Sequence, residues 1–495
     1  MPSSPSSSVV SGRLESLTPG QIVPFGGDRY VTVDPDLANR FRPGDRLVVV
    51  QDTGELLHVP GSVAELVSSA VSGAVDAFRA LQSTPLTAVD AFYESFARSL
   101  EDDSMFSIVR LANEQDVDSA RRQGRGTGRL ELTPKMRADM IAALRMWRDL
   151  PDPFSESTHR VEHESWSVEE RRSPLGVVGF VFEGRPNVFA DATGVLKSRN
   201  SVVFRIGSDA LGTARAMMDS CVRPALVSAG LPFESVVLVD SPERAAGHAL
   251  FADSRLALAV ARGSGAAVAQ LGAVARQAGV PVSLHGTGGA WMHVAEDVDG
   301  QRVRDVVDAS LDRKVCNTVN VIAVPRGRSD LHAAALDGIR SAASRRSVSA
   351  SVHVATSDRG ALHGLLDDVI VVEHDGLDHL GTEWEWDEAP EVSLILVEHV
   401  DRTIELFDSF SPRFVMSVVS DDSRLVEYVY DRVEAPFVGD GFTRWVDGQY
   451  ALGRPELGLS NWQNGRLFGR GGVLSGDGVF SVRYRTHHRD PRQRR

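Results

Sequence analysis

One cysteine of the chain lies in a setting that favours nucleophilic chemistry. Cys316 stands in the segment R-K-V-C-N-T, directly before a run of apolar and β-branched residues and just after two cations, Arg313 and Lys314. Nearby cations stabilise the thiolate, which is the nucleophilic form of cysteine. A buried and inert cysteine is the ordinary alternative, and we assign that role to Cys221, which lies inside an apolar helical run. For Cys316 both interpretations, a nucleophile and an inert buried cysteine, stay open on these residues alone.

Two glycine-bearing segments follow predicted strands and have residue types that suit a phosphate. They are R-I-G-S at residues 205–208 and R-G-S-G at residues 262–265. Small residues let backbone N–H groups approach a phosphate at a helix N-terminus, and an arginine adds a bidentate donor. Neither segment has the complete glycine fingerprint of a dinucleotide site, so an ordinary turn is the alternative for each.

Two further loops have chemical potential. Asn187 ends the segment E-G-R-P-N after a predicted strand, where its side-chain amide could donate to a developing oxyanion or form a local turn. Residues 286–289, G-T-G-G, form a flexible loop between apolar segments. This loop is either a plain turn or a wall of an active site.

The elements that must position these residues alternate along the chain. Between residues 174 and 325, and again between 328 and 435, apolar strand-type runs alternate with Ala- and Leu-rich helical segments, a pattern typical of a parallel α/β sheet. Such sheets bind ligands at the carboxyl ends of their strands. Predicted strands in the first region are 177–182, 201–204, 236–239, 256–260 and 319–324, and in the second 351–355, 369–373, 392–397 and 414–419.

Composition excludes several functional classes. Among 495 residues, 53 Lys and Arg against 67 Asp and Glu give a net charge of −14, which argues against nucleic-acid and anionic-membrane partners. The 2 cysteines rule out a disulfide framework and fit a reducing cytoplasm. No apolar run reaches membrane-spanning length, and the Ser- and Pro-rich N-terminus is unlike a secretory signal. We expect a cytoplasmic protein, and no metal site is predicted.

Several long motifs, in order, carry a family resemblance. They are S-P-L-G-V-V-G from residue 173, E-G-R-P-N-V from residue 183, L-K-S-R-N from residue 196, V-C-N-T from residue 315 and L-G-R-P-E-L-G-L-S from residue 452. Together they resemble the gamma-glutamyl phosphate reductases, the glutamate-5-semialdehyde dehydrogenases of the aldehyde dehydrogenase superfamily. The resemblance extends from about residue 76 to residue 486.

The resemblance implies an α/β fold of the aldehyde dehydrogenase type, with a Rossmann-type cofactor domain, a catalytic α/β domain and an oligomerisation hairpin. An extra β appendage precedes these domains. The implied ranges are 1–60 for a disordered tail and the appendage, 61–313 with 436–477 for the cofactor domain, 314–435 for the catalytic domain, 158–171 and 478–486 for the oligomerisation strands, and 487–495 for a second disordered tail.

The resemblance also implies roles for individual residues. Cys316 matches the nucleophile and Asn187 the oxyanion donor, and the cofactor is NADP(H). The implied cofactor-binding residues are Lys197, Ser198, Arg205, Gly207, Ser208, Gly263, Ser264 and Glu388, and the implied substrate residues are Arg185, Asn317, Asn320, Arg413, Arg454 and Glu456.

These assignments fit a reduction through a thioester. Aldehyde-oxidising relatives carry a glutamate that activates water for deacylation, whereas the corresponding loop here, residues 284–289, has no carboxylate. His285 in that loop is either a substitute base or a solvated side chain.

The chain also departs from the family pattern at Asn320, where the family has a glutamate, and at Arg413 and Arg454. If these side chains face the substrate pocket, we expect weak activity on glutamate-5-semialdehyde and better activity on another acyl donor.

Three functions remain open. The first is an NADPH-dependent reductase of an acyl phosphate such as glutamyl 5-phosphate. The second is a thioester reductase, acting on CoA or carrier-protein esters, or an aldehyde dehydrogenase of a specialised pathway. The third is a non-catalytic scaffold. The implied partners are a small acyl phosphate or acyl thioester, a kinase or carrier protein, and further copies of the chain in a homodimer or homotetramer.

Overall fold

The computed structural model describes residues 12–155, 158–459 and 472–492. The chain forms two units: unit 1 consists of Met1–Ala261, Ala269–Val282 and Val479–Arg495, and unit 2 of Arg262–Val268 and Ser283–Gly478. In the described ranges we find no helix whose length and apolar character would let it cross a membrane.

The α-helices are α1 Pro35–Arg40, α2 Gly61–Leu81, α3 Leu86–Glu101, α4 Asp103–Arg122, α5 Pro134–Asp149, α6 Val188–Thr193, α7 Leu211–Met217, α8 Arg223–Ser228, α9 Arg244–Phe251, α10 Gly265–Gln277, α11 Gly300–Ser310, α12 Ser329–Ser344, α13 Val400–Phe410, α14 Ser423–Tyr430 and α15 Gly448–Ala451. The strands are β1 Ile22–Phe25, β2 Arg29–Thr32, β3 Arg46–Val49, β4 Leu56–Val59, β5 His159–Glu162, β6 Trp166–Pro174, β7 Val177–Phe182, β8 Ser201–Arg205, β9 Val236–Leu238, β10 Leu256–Arg262, β11 Val282–His285, β12 Ala290–Val294, β13 Val319–Pro325, β14 Ser351–Ala355, β15 Ile370–His374, β16 Glu391–Val397, β17 Val415–Val419, β18 Phe437–Gly439, β19 Gly458–Leu459, β20 Val473–Leu474 and β21 Phe480–His488.

The N-terminal appendage of unit 1 contains two antiparallel hairpins, β1–β2 and β3–β4. It also contains α1, which the sequence did not predict. The Asp34 side chain caps this helix by accepting the Leu37 N–H, and Pro35 stands in its first turn. A small apolar cluster closes the appendage: Leu17, Val33, Leu37 and Phe41.

The helices of unit 1 follow the predicted apolar spacing. The buried face of α2 includes Val63, Val67, Val71 and Ala74, at intervals of three and four residues. Helix α5 begins as predicted, because the Thr133 side chain accepts the Met136 N–H and a proline follows it.

A five-stranded sheet has the order β11-β10-β7-β8-β9, and its neighbours β7, β8 and β9 run parallel. Every residue of β7 and β8 is buried. A strand covered on both faces is typical of a parallel α/β sheet. The carboxyl ends of β7 and β8 place the segments that follow them at one edge of this sheet.

A separate antiparallel sheet of unit 1 has the order β21-β6-β5. Its β6–β21 register runs from Pro174 opposite Phe480 to Trp166 opposite His488. These strands overlap the segments predicted for oligomerisation, 158–171 and 478–486, and β6 continues beyond the first of them to Pro174. Strand β21 continues to His488, so residues 487 and 488 are paired rather than part of the predicted tail. Residues 1–11 and 493–495, also predicted as tails, lie outside the described residues.

Unit 2 is built on a seven-stranded parallel sheet with the order β15-β14-β16-β13-β12-β17-β18. Apolar side chains cover both faces of this sheet. The strands of this sheet do not follow the predicted domain boundaries, which placed β12 and β18 in the cofactor domain. Backbone pairing is the reason: β12 lies between β13 and β17, and β18 pairs with β17.

Candidate active site

Cys316 lies in a tight turn that leads into β13, and its side chain is half-buried. The turn is closed by Thr318, whose backbone N–H donates to the Val315 carbonyl at 3.1 Å. The Thr318 hydroxyl accepts the Val315 N–H at 2.9 Å and donates to the Arg313 carbonyl at 2.6 Å. Because one threonine satisfies three backbone groups, the turn holds the cysteine in a fixed position before the strand.

The glycine loop 286–289 packs against the backbone of Cys316. A Cβ atom on Gly288 would lie 2.5 Å from the Cys316 Cα and carbonyl oxygen and 2.8 Å from its Cβ. The Gly289 N–H donates to the Cys316 carbonyl at 2.7 Å, and Gly289 has a φ of +105°, a conformation that favours glycine. The loop is therefore a wall of the cysteine site, one of the two roles that the sequence left open for it.

Glu383 holds the same loop from the other side. Its Oε2 accepts the Gly288 N–H at 2.6 Å, and its Oε1 accepts from the nearly buried Lys314 Nζ at 2.8 Å. The sequence analysis missed Glu383. The segment T-E-W-E-W-D-E offers several carboxylates, and spacing alone does not separate them.

Glu388, predicted to bind the cofactor, lies five residues after Glu383 in the same segment and is exposed. The structure places Glu383, and not Glu388, against the glycine loop.

A second glycine-bearing segment reaches this loop. Gly263 donates its N–H to the His285 carbonyl at 3.2 Å. A Cβ on Gly286 would lie 3.2 Å from the Gly265 Cα, and one on Gly265 would collide with the Thr287 hydroxyl. Unit 2 therefore brings the predicted phosphate loop, including the exposed Ser264, beside the loop that contacts Cys316.

His285 is engaged within the fold and is not a solvated side chain. Its Nδ1–H donates to the Leu459 carbonyl at 2.6 Å. Its ring lies edge-on to Phe414, with 5.8 Å between the ring centroids.

Asn320, predicted to contact substrate, anchors a protein loop with both ends of its amide. Its Nδ2 donates to the Thr382 carbonyl at 2.8 Å, and its Oδ1 accepts the Trp384 N–H at 2.9 Å. Asn320 is buried. Because both ends of its amide are occupied, Asn320 contributes to the site by holding the segment that carries Glu383.

Asn317 is also used internally. Its Nδ2 donates to the Val446 carbonyl at 2.6 Å, and its Oδ1 accepts from Arg444. Arg444 in turn pairs with Asp312 at 2.6 Å. The predicted substrate role of Asn317 thus competes with a structural one, which ties the cysteine turn to the chain near residue 445.

The remaining predicted substrate residues of unit 2 are paired within the protein. Arg413 binds Glu434 and donates to the Asp408 carbonyl at 2.9 Å. Arg454 pairs with Asp477 at 3.2 Å. Both arginines are thus paired with acidic side chains of the protein, and their influence on substrate choice stays a prediction.

Glu456 is largely buried and pairs with Arg262 at 2.8 Å. Burial raises the pKa of its carboxyl group, and the Arg262 guanidinium opposes that shift. Its Oε2 has no hydrogen-bond partner among the described residues. Glu456 therefore retains an unused acceptor beside the segment that begins the phosphate loop.

In unit 1, Arg205 ends β8 as a buried cation. Its guanidinium donates to the Pro242 carbonyl at 3.2 Å, while its Nε has no partner within the described ranges. Burial and the nearby Arg244 both lower the pKa of Arg205. Arg244 is exposed in the first turn of α9. Two cations at the end of a strand can bind an anion. The sequence analysis missed Arg244, and its position at the start of the helix after β9 is the signal that would have identified it.

The neighbouring cofactor candidates Gly207 and Ser208 follow Arg205 directly. A Cβ on Gly207 would lie 3.1 Å from the Gly184 backbone nitrogen, so the ends of β7 and β8 approach closely there. Ser208 is exposed at the following turn.

Lys197 and Ser198, also predicted to bind the cofactor, point into the helical core of unit 1. Lys197 is fully buried, and its Nζ donates to Asp90 and to the Arg148 carbonyl, both at 2.9 Å. Ser198 is buried and accepts from the Asn200 amide at 2.9 Å. Their contacts are those of structural residues.

Asn187 and Arg185 lie between β7 and α6. Arg185 is exposed, and Asn187 is half-buried. The buried Oδ1 of Asn187 makes no hydrogen bond within the described residues. The fold therefore leaves part of this amide's hydrogen-bonding capacity unused.

The family is settled by comparison with known sequences. The profile of the aldehyde dehydrogenase family matches residues 48–339, more than half of the chain. The chain belongs to the aldehyde dehydrogenase family. It is accordingly an oxidoreductase that acts on aldehyde groups, as predicted.

Solved structures confirm the predicted fold class. Gamma-glutamyl phosphate reductase from Thermotoga maritima is similar with a TM-score of 0.74 at 22% identity, covering 87% of this chain and 100% of that one. An acetylating aldehyde dehydrogenase from Geobacillus thermoglucosidasius is similar with a TM-score of 0.61 at 15% identity, covering 88% and 99%. Propionaldehyde dehydrogenase from Rhodopseudomonas palustris, with bound propionyl-CoA, also has a TM-score of 0.61, at 16% identity, covering 86% and 94%. These likenesses show the aldehyde dehydrogenase fold.

Proposed function

We propose that the protein is an NADPH-dependent reductase that converts an activated acyl group to an aldehyde through a thioester on Cys316. The observation that carries this proposal is the close contact of the Cys316 backbone with Gly288. Glu383, itself paired with Lys314, holds the 286–289 loop by accepting the Gly288 N–H. A nucleophile held by its own backbone contacts is positioned before substrate arrives, which lowers the entropic cost of attack.

The covalent steps follow from the residue types. The Cys316 thiolate attacks the acyl carbon, the leaving group departs with its electron pair, and a thioester remains. Addition of hydride to that carbon gives a thiohemiacetal, whose collapse releases the aldehyde and restores the thiolate. Asn187 is the proposed donor to the oxyanion, through the Nδ2 of its side-chain amide.

The residues present fit a phosphorylated nicotinamide cofactor. Arg205 offers a buried guanidinium with an unpartnered Nε, and Arg244 adds a second cation. An arginine pairs well with phosphate because its planar fork matches two oxygens. When bound, NADPH supplies the hydride. Gly263 and Ser264 are the proposed contacts of unit 2 with its pyrophosphate.

The loop chemistry favours transfer over hydrolysis. Residues 284–289 contain no carboxylate that could activate water. The nearby Glu383 uses one oxygen for the Gly288 N–H and the other for Lys314. A carboxylate held in this way is a poor general base, so we propose phosphate or a thiol as the group exchanged with the thioester.

An acyl phosphate is the first candidate substrate, since the similar enzyme from Thermotoga maritima is a gamma-glutamyl phosphate reductase. A CoA thioester is the second, because the propionaldehyde dehydrogenase of the same fold holds propionyl-CoA. The internal pairing of Asn320, Arg413 and Arg454 weakens the argument for a changed substrate, so glutamate-5-semialdehyde is the first aldehyde to test.

The test is NADP+ reduction by a panel of aldehydes with phosphate, with CoA and with neither. Turnover that requires phosphate supports the acyl phosphate, and turnover that requires CoA supports the thioester. Turnover without an acceptor that is as fast as turnover with phosphate or CoA would contradict the proposal, because it would show that water hydrolyses the thioester.

A further inference from the structure

Three histidines and a tryptophan form a stacked cluster in unit 2, behind the segment that carries Glu383. The His353 ring lies on the Trp384 indole, with 3.6 Å between centroids and 11° between planes. The His374 ring lies on His379 at 4.2 Å and 7°. His353 and His379 are buried, at 4% and 7% exposure.

Trp384 connects this cluster to the cysteine loop. Its backbone N–H donates to Asn320 at 2.9 Å, and its indole N–H donates to the Ser393 hydroxyl at 3.0 Å. The residue before it is Glu383, whose carboxylate accepts the Gly288 N–H. The position of Glu383 therefore depends on the packing of Trp384.

The hydrogen bonds of the cluster define where its protons lie. The Glu391 carboxylate can only accept, so His353 donates to it through Nε2 at 2.8 Å. The Nδ1 of His353 is then the acceptor, and the Nε2–H of His374 donates to it, also at 2.8 Å. In the neutral cluster every one of these bonds has one donor and one acceptor.

Acid breaks this arrangement at the second proton. A single proton on His353 is accommodated if His374 moves its own proton to Nδ1 and accepts instead. With His353 and His374 both protonated, two N–H groups face each other at hydrogen-bond distance and repel. Any charge on His379 adds repulsion, because that ring is stacked on His374.

Glu391, at the start of β16, offsets charge on His353, and Asp378, beside His379, offsets charge on that ring. Burial lowers the pKa values of His353 and His379, with the neighbouring histidines contributing in the same direction. The folded cluster thus favours the neutral rings.

We propose that His353, His374 and Trp384 are positioning residues that hold Glu383 against Gly288 only while the cluster is neutral, which makes the cysteine loop pH-sensitive. Near neutral pH, where burial keeps the pKa values of His353 and His379 low, the rings are uncharged and Trp384 is held in place. When acid has charged both rings of the His353–His374 pair the stack opens, and the bonds from Gly288 to Glu383 and from Trp384 to Asn320 are lost. The importance of this device for catalysis rests on the proposed function.

The experiment is amide hydrogen exchange on the full chain, without substrate or cofactor, at pH 7.5 and pH 5.0. Exchange is followed by mass spectrometry in peptides that cover residues 286–290 and 382–386, after correction for intrinsic rates. In the wild type we expect protection of the Gly288 and Trp384 amides to fall at least about tenfold at the lower pH.

Two variants sharpen the test. His374→Gln retains an N–H donor for His353 but cannot gain a proton. In this variant, protection of the Gly288 and Trp384 amides should therefore remain nearly constant between the two pH values. Trp384→Leu should lose protection of the Gly288 amide at both pH values. The control Trp386→Leu should not, because Trp386 packs against the apolar core of unit 2.

Equal protection in the wild type at both pH values would overturn the proposal, as would an equal loss in His374→Gln. Activity is not the readout, because acid also protonates Cys316. If the reductase function fails instead, the exchange result stands unaffected, so the two failures are distinguishable.

Discussion

The two cysteines show how residue surroundings decide chemistry. Cys221 is fully buried, and burial raises its thiol pKa to about 12. Cys316 is half-buried in a turn fixed by Thr318 and contacts the glycine loop. The first is an inert core residue, as predicted from its apolar run, and the second has the access that a nucleophile needs.

Selective alkylation tests this difference. At pH 8 a thiol with a pKa near 12 is ionised in only about one molecule in ten thousand. We expect iodoacetamide to modify Cys316 while the folded protein protects Cys221, as followed by peptide mass spectrometry. Comparable labelling of both residues before unfolding would contradict this assignment.

Replacement of the nucleophile tests its role directly. Cys316→Ala should lower kcat for NADP+-coupled aldehyde oxidation by at least about three orders of magnitude. Binding of NADPH, followed by fluorescence titration, should be unchanged because no cofactor candidate is altered. Residual activity near that of the wild type would exclude a covalent mechanism at this residue.

The contact between Gly288 and Cys316 leaves no room for a side chain. Gly288→Ala should lower the free energy of unfolding by about 1–3 kcal/mol and reduce activity, because the added methyl displaces the cysteine turn. Gly327→Ala is the matched control, since nothing lies within 4 Å of the added methyl there. Denaturant unfolding and steady-state rates give the comparison, and a Gly288 variant no worse than the control would contradict the close approach.

At the scale of elements, the candidate groups lie where the chain enters or leaves a strand. Strand β8 ends on Arg205, and the turn before β13 carries Cys316. The segments that follow β7 and β8 lie at the carboxyl edge of one parallel sheet, where such sheets bind ligands.

The Arg205 site predicts cofactor preference. Arg205→Ala should weaken NADPH binding by roughly tenfold or more, as expected for loss of a charge-assisted hydrogen bond, and should affect NADH much less. Arg215→Ala, which removes an exposed arginine paired with Asp240, serves as control. If titration of the wild type shows equal affinity for the two cofactors, the phosphate assignment fails.

The elements were predicted well from periodicity because burial imposes it. The apolar runs at 177–182 and 319–324 correspond to β7 and β13, and the Thr133-Pro134 pair does begin α5. Side-chain roles were less accessible. The family resemblance assigned Lys197 to the cofactor and Asn320 to the substrate, yet tertiary contacts with Asp90 and with residues 382–384 use their polar atoms. Such contacts join residues far apart in sequence, which local patterns do not encode.

Over the whole molecule, stability should depend on buried histidines. His293 in the sheet of unit 2 is buried, its Nδ1 lies 2.8 Å from the Thr403 hydroxyl, and burial lowers its pKa to about 4. The unfolded chain binds this proton near pH 6.5, so between pH 6.5 and 4 the unfolded state holds more protons than the folded state. Stability therefore rises with pH across that window.

The expected contribution is about 3 kcal/mol between pH 4 and pH 6.5 for a shift of this size. Urea unfolding of the wild type and of His293→Gln at both pH values isolates it, because the variant lacks the titrating group. The difference in pH dependence between the two proteins should approach that value. Identical pH dependence would show that His293 is not kept neutral by burial.

The central claim, a thioester on Cys316, is tested most directly by trapping it. The protein is mixed with NADP+ and an aldehyde that it oxidises, without phosphate or CoA, and the peptide containing Cys316 is examined by mass spectrometry. The account predicts a burst of about one NADPH per subunit, together with an acyl adduct on Cys316 that phosphate or CoA removes. Sustained turnover without an adduct, retained in Cys316→Ala, would contradict it.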